Sequence, residues 1–124
     1  MSKLTLVIIL LLSTMLTLLS QVLLKYGLKE IGIASFKLSA LFPLLPKILL
    51  NLYVWGWLAF SVLAMLLWVW GLAYCDLSFA YPFLSIGYVI IVLSSALFLH
   101  ESVSGLRWLG VALISTGMLL IYKT

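Results

Sequence analysis

Residues 4–25 read LTLVIILLLSTMLTLLSQVLLK, and the fold turns on what this stretch is. The basic start at Lys3 and the apolar run behind it have the outline of a secretory signal. A signal core is about 7–15 residues long and ends at a small-residue cleavage site. Here the run from Leu4 to Leu24 covers 21 residues, and no Ala-x-Ala follows it. A helix needs about 20 mainly apolar residues to cross the hydrocarbon of a bilayer. The stretch therefore predicts a retained transmembrane helix.

The rest of the chain supports lipid as the solvent. Of 124 residues, 66% are hydrophobic and 8% charged, with a mean hydropathy of +1.34. Soluble domains carry about 25% charged residues. A chain of this length builds one domain, and in water it could not bury so much apolar surface. Three further runs are long enough to cross: about Leu52–Tyr74, Leu77–Leu99 and Leu106–Tyr122. Backbone groups in lipid must be satisfied within the segment, which favours helices, and the alternation of a barrel is absent. The expected fold is an all-α membrane protein, residues 1–124, with four transmembrane helices.

The segment 26–51 holds Lys29, Glu30, Lys37 and Lys47, and FKLSALFPLLPKILL (36–50) contains Pro43 and Pro46. It is predicted to lie along the membrane surface and to break near the prolines. The other links, at Cys75–Asp76 and HESVSG (100–105), are short and make consecutive helices antiparallel neighbours. Lys25, Lys29, Lys37, Lys47 and Arg107 fall on one side, and Lys3 and Lys123 on the other. That bias puts the 26–51 segment in the cytoplasm and both termini outside.

The net charge of +4 is scattered, so no nucleic-acid surface is expected. The single cysteine, Cys75, has no disulfide partner and reads as filler at a helix end. One histidine gives no metal site. No catalytic grouping or phosphate loop appears, so neither a cofactor nor an enzyme is expected.

Polar residues inside the runs carry the functional signal. Thr14, Thr17, Gln21 and Lys25 are spaced 3, 4 and 4 apart, on one helix face. They serve either as interhelical hydrogen bonding with a snorkelling Lys25, or as a cavity wall where Lys25 meets an anion. Tyr81, Ser85 and Tyr88 share a second face, beside Pro82. Pro82 either starts that helix or bends it at a site. Gly110 and Gly117, seven apart, share a face and are flanked by Ala112 and Thr116, suited to close packing within the chain or in a dimer. Trp55, Trp57, Trp68 and Trp70 read as an interfacial belt. Glu101 stands near a helix start or pairs with a basic group.

These motifs resemble the small multidrug resistance proteins of the drug/metabolite transporter superfamily. SQVLLKYG (20–27), LSFAYPFLSIGYV (77–89) and LHESVSGLRWLGVALISTGMLLI (99–121) more closely resemble subunits of the 4-amino-4-deoxy-arabinose–phosphoundecaprenol flippase. The shared features are Gln21-x-x-x-Lys25, Ala80-Tyr81-Pro82, His100-Glu101 and Trp108-x-Gly110-Val111. Drug-exporting members carry a glutamate in the first helix at the position of Thr17. A hydroxyl there can neither exchange protons nor neutralise a cation.

The resemblance implies a dimeric, small multidrug resistance-like flippase subunit in the bacterial inner membrane. It would move a polyprenyl-phosphate sugar between leaflets, as a homodimer or with a paralogous four-helix subunit. Lys25 would meet the phosphate, and Gln21, Thr17, Tyr81, Ser85 and Tyr88 would line the path. Pro82 and Glu101 would shape the turns, and Gly110 and Gly117 the dimer contact. The alternatives are a small-solute or drug exporter and a non-transporting scaffold for a glycosyltransferase.

Overall fold

The computed structural model describes residues 1–32 and 38–124. Helix α1 spans Lys3–Ile31, α2 Leu38–Leu49, α3 Leu52–Leu72 and α4 Leu77–Ala80. A 3-10 turn at Tyr81–Phe83 leads into α5, Leu84–Leu97, and α6 runs from Gly105 to Lys123. No strand occurs among the described residues. Among the described residues, four helical stretches are long and apolar enough to cross a membrane: Lys3–Ile31, Leu52–Leu72, Leu77–Leu97 and Gly105–Lys123. The protein is an all-α, multi-pass membrane protein.

Helix α1 continues past Leu24, where the sequence reading ends it, to Ile31. Helices stop at caps rather than at the edge of a hydrophobic run. The Ser2 hydroxyl accepts from the Thr5 N–H at the start. At the end Gly32 takes a left-handed φ of 72° and its N–H caps the Leu28 carbonyl. Twenty-nine residues at ~1.5 Å each make a rod of about 43 Å, against ~30 Å of hydrocarbon, so α1 outreaches the bilayer core. Glu30 therefore belongs to the last turn of α1, close enough for the Asn51 amide to donate to it at 3.5 Å.

The expected break at the prolines is also absent, because Pro43 and Pro46 lie inside continuous α2. Each proline deletes one backbone bond, and the remaining ones carry the helix on. Residues 33–37, with Lys37, lie outside the described residues.

Packing centres on α1. Its buried residues include Leu6, Leu10, Ser13, Thr14 and Leu18. Helix α3 runs antiparallel to it: Gly27 faces Tyr53, Gly56 faces Leu23, and Gly71 faces Leu10. These glycines let the two backbones close up. A Cβ on Gly71 would stand 2.8 Å from Leu10 Cδ2. The Ser13 hydroxyl crosses the same seam to donate to the Ala64 carbonyl at 2.7 Å. Helix α5 runs parallel to α1, with Gly87 against Thr14 and Leu18. Helix α6 returns: the Lys3 ammonium donates to the Tyr122 carbonyl at 3.2 Å, and the Phe83 and Tyr122 rings meet edge to face at 6.4 Å. Both termini thus share one end, and α2 and the 98–104 turn share the other.

Outward faces are apolar. Leu113, Leu106 and Leu120 on α6 are exposed, and α6 buries none of its residues. A Cβ added at Gly110 or Gly117 would meet nothing within 4 Å. Neither glycine serves packing inside this chain.

Candidate functional site

Hydroxyls inside the apolar helices are mostly committed to backbone carbonyls. Thr14 donates to Leu10 at 2.9 Å and Thr17 to Ser13 at 3.0 Å. Ser20 donates to Thr17 at 2.6 Å and Ser85 to Pro82 at 2.5 Å. Ser115 and Thr116 bond back to Val111 and Ala112. Such bonds let a hydroxyl sit in an apolar helix without an orphaned proton. Among the described residues no buried side-chain polar atom lacks a partner. The upper part of the Thr14–Lys25 face is therefore occupied with its own helix.

The lower part opens. A cavity of about 220 Å³ is lined by Gln21, Lys25, Ile91, Ser94, Ser95 and Glu101 among others. Lys25 Nζ lies 3.3 Å from Glu101 Oε1, with the two side chains 50% and 41% exposed. An ion pair that open is worth about 0–1 kcal/mol, so separating it costs little.

Local folding brings the partners together. Helix α5 ends where the Phe98 N–H caps the Ser94 carbonyl at 2.9 Å. His100 then adopts a left-handed φ of 53°. This turn returns the chain so that the Glu101 N–H donates to the Ser95 carbonyl at 2.9 Å. Helix α6 starts only at Gly105, with the Ser104 hydroxyl accepting from the Arg107 N–H. Glu101 is thus paired with a basic group rather than acting as the cap of the next helix.

Of the residues singled out in the sequence, Gln21, Lys25 and Glu101 meet here. Thr17 lies in a separate cavity of about 280 Å³ with Ser13, Ser61, Trp68 and Leu84. Tyr81 is exposed, its ring edge-to-face with Trp68 at 5.5 Å. Trp68 itself is half buried and packs against the buried cluster of Leu6, Val7, Leu10, Ala80 and Phe83. Ser85 is half buried and Tyr88 exposed on α5. Tyr81 and Glu101 stand beyond opposite ends of α5, whose 14 residues at ~1.5 Å each separate them by about 21 Å or more. Pro82 sits in the 3-10 turn between α4 and α5, after the helical path has already begun at Leu77.

Ser94 and Ser95 were missed in the sequence. Their signal was a pair of adjacent hydroxyls in the last turns of an apolar run, just before Glu101.

The chain is similar to several curated proteins. Over 69 residues, 52% of the chain, it is 48% identical to 60% of an Aeromonas hydrophila protein. That relative is named "Probable 4-amino-4-deoxy-L-arabinose-phosphoundecaprenol flippase subunit ArnE". Over 72 residues, 55% of the chain, it is 40% identical to 67% of a protein of the same name from Enterobacter sp. (strain 638). A Yersinia pestis (strain Pestoides F) protein of that name is 45% identical over 69 residues, 52% of the chain and 60% of the relative. The chain spans about three-fifths of the length of the first curated relatives it matches, at 60%, 60% and 62%. No family model and no solved structure matches it.

Proposed function

This chain belongs to the family of the 4-amino-4-deoxy-L-arabinose-phosphoundecaprenol flippase subunits, and from that premise we propose that it moves a polyprenyl-phosphate-linked sugar between bilayer leaflets. The observation that carries the reading is the Lys25 cavity, where an accessible ammonium stands among Gln21, Ser94 and Ser95. A lysine is a compact cation suited to a phosphate oxygen. Taking a charged headgroup through hydrocarbon unaided is very costly, and a polar recess at the end of α1 offers it replacement partners. The prenyl tail would stay against the apolar outer faces.

Farther along the path, Thr17, Tyr81, Ser85 and Tyr88 pass the headgroup across. Thr17 offers no charge to a cation, which weighs against cationic-drug export. The role is transport rather than catalysis, in the bacterial inner membrane with the α2 end in the cytoplasm. The working unit is a dimer, with a second copy or a paralogous subunit. Its contact is the α6 face of Gly110 and Gly117, which is open within this chain.

The test is reconstitution into vesicles, with and without a paralogous partner, and measurement of labelled polyprenyl-phosphate sugar reaching the opposite leaflet. Protein-dependent movement is expected. No movement in either arrangement, with co-purification of a glycosyltransferase, would replace transport with a scaffolding role.

A further inference from the structure

We infer that Glu101 is the specificity-determining residue of this site, selecting headgroups that carry an ammonium beside the phosphate. This rests on Lys25 being the phosphate partner. The geometry supplies the argument. Lys25 and Glu101 already neutralise one another at 3.3 Å. A ligand that brings only a negative charge takes Lys25 away from Glu101. It leaves the carboxylate unpaired and close to the incoming phosphate, a repulsive arrangement that counts against that ligand. A zwitterionic headgroup exchanges both partners at once. Its phosphate takes the Lys25 ammonium, its own ammonium takes the Glu101 carboxylate, and no charge is left over.

Three further observations fit this exchange. Both side chains are about half exposed, so a headgroup can reach each without unfolding anything. The cavity beside them, about 220 Å³, is several times the ~30 Å³ share of one water. Its remaining polar lining, Gln21, Ser94 and Ser95, makes no side-chain hydrogen bond among the described residues. In contrast, Ser13, Thr14, Thr17 and Ser20 are all engaged. Those free groups suit the hydroxyls of a sugar held between the two charges.

The two ions are also unequally tethered. Glu101 is fixed at its backbone by the bond to Ser95 and by the left-handed turn at His100. Lys25 reaches the pair on a flexible four-carbon stem. The carboxylate therefore marks the place of the ligand's ammonium, while Lys25 adjusts to the phosphate.

The experiment compares two short-chain polyprenyl-phosphate sugars, one with an amine and one with a hydroxyl at the same carbon. Binding to the detergent-solubilised protein and translocation in vesicles are both measured. Wild type is expected to prefer the amino form by roughly tenfold or more. Glu101→Gln should erase that preference while still binding the hydroxyl form, and Glu101→Asp should restore part of it. Equal loss of both ligands in Glu101→Gln, or no preference in wild type, would overturn the inference. If binding discriminates as expected but neither lipid crosses the bilayer, the specificity assignment stands and the transport reading falls.

Discussion

Lys25 and Glu101 show which residue-scale features one sequence can reveal. The spacing from Gln21 to Lys25 was legible because helical periodicity alone aligns them. The pairing of Lys25 with Glu101 at 3.3 Å was open to inference only as a generic basic partner, since it depends on how α5 ends. Ser94 and Ser95 were legible only as adjacent hydroxyls late in an apolar run, because most hydroxyls in these helices bond back to carbonyls and spacing does not tell the exceptions apart. The left-handed His100, φ 53°, is the device that aims Glu101. A non-glycine residue there stores strain of about 1 kcal/mol or more. His100→Gly should therefore raise the unfolding midpoint in mixed micelles with transport kept. A lowered midpoint would contradict the strain. Cys75, outside the crossing segments, has its thiol pushed above its ordinary range, first by burial and then by the Asp76 charge. Its S–H also donates to the Gly71 carbonyl at 3.5 Å. Thiolate is the reactive form, so maleimide labelling should be slow at neutral pH and speed up steadily toward strongly alkaline pH. Fast labelling at pH 7 would refute that placement.

At the scale of elements, the number of helices was legible because lipid allows the backbone few other solutions. Their ends were not, since Gly32 and the Leu28 carbonyl end α1 well beyond its apolar run. The role of the glycines divided in a way sequence spacing could not show. Gly27, Gly56, Gly71 and Gly87 sit in the seams around α1, while Gly110 and Gly117 face open space. Gly71→Val should loosen the α1–α3 seam, because its Cβ would fall 2.8 Å from Leu10, which is fully buried. Overpacking of this kind costs about 1–3 kcal/mol. Equilibrium unfolding in detergent should show that loss, with partial recovery when Leu10→Ala is added. A neutral Gly71→Val would mean the seam is slacker than its geometry.

At the scale of the molecule, the described residues form four up-and-down helical stretches long and apolar enough to cross a membrane, with α1 at the centre and α6 at the margin. In the proposed dimer, peripheral α6, with no buried residue, would offer a second subunit small residues unclaimed by the chain itself. Gly110→Leu with Gly117→Leu should cut disulfide cross-linking between subunits carrying Leu113→Cys by roughly tenfold, while the unfolding midpoint of the monomer stays put. Undiminished cross-linking would place the dimer contact elsewhere.

At this scale the account depends on one charge. The most direct measurement is the initial rate of polyprenyl-phosphate sugar translocation in vesicles for Lys25→Ala and Lys25→Arg, each also in a Glu101→Gln background so that no carboxylate is left unpaired. The account predicts at least about a tenfold loss for Lys25→Ala, equivalent to ~1.4 kcal/mol, with most of the rate kept by Lys25→Arg. An unchanged rate in Lys25→Ala would contradict it.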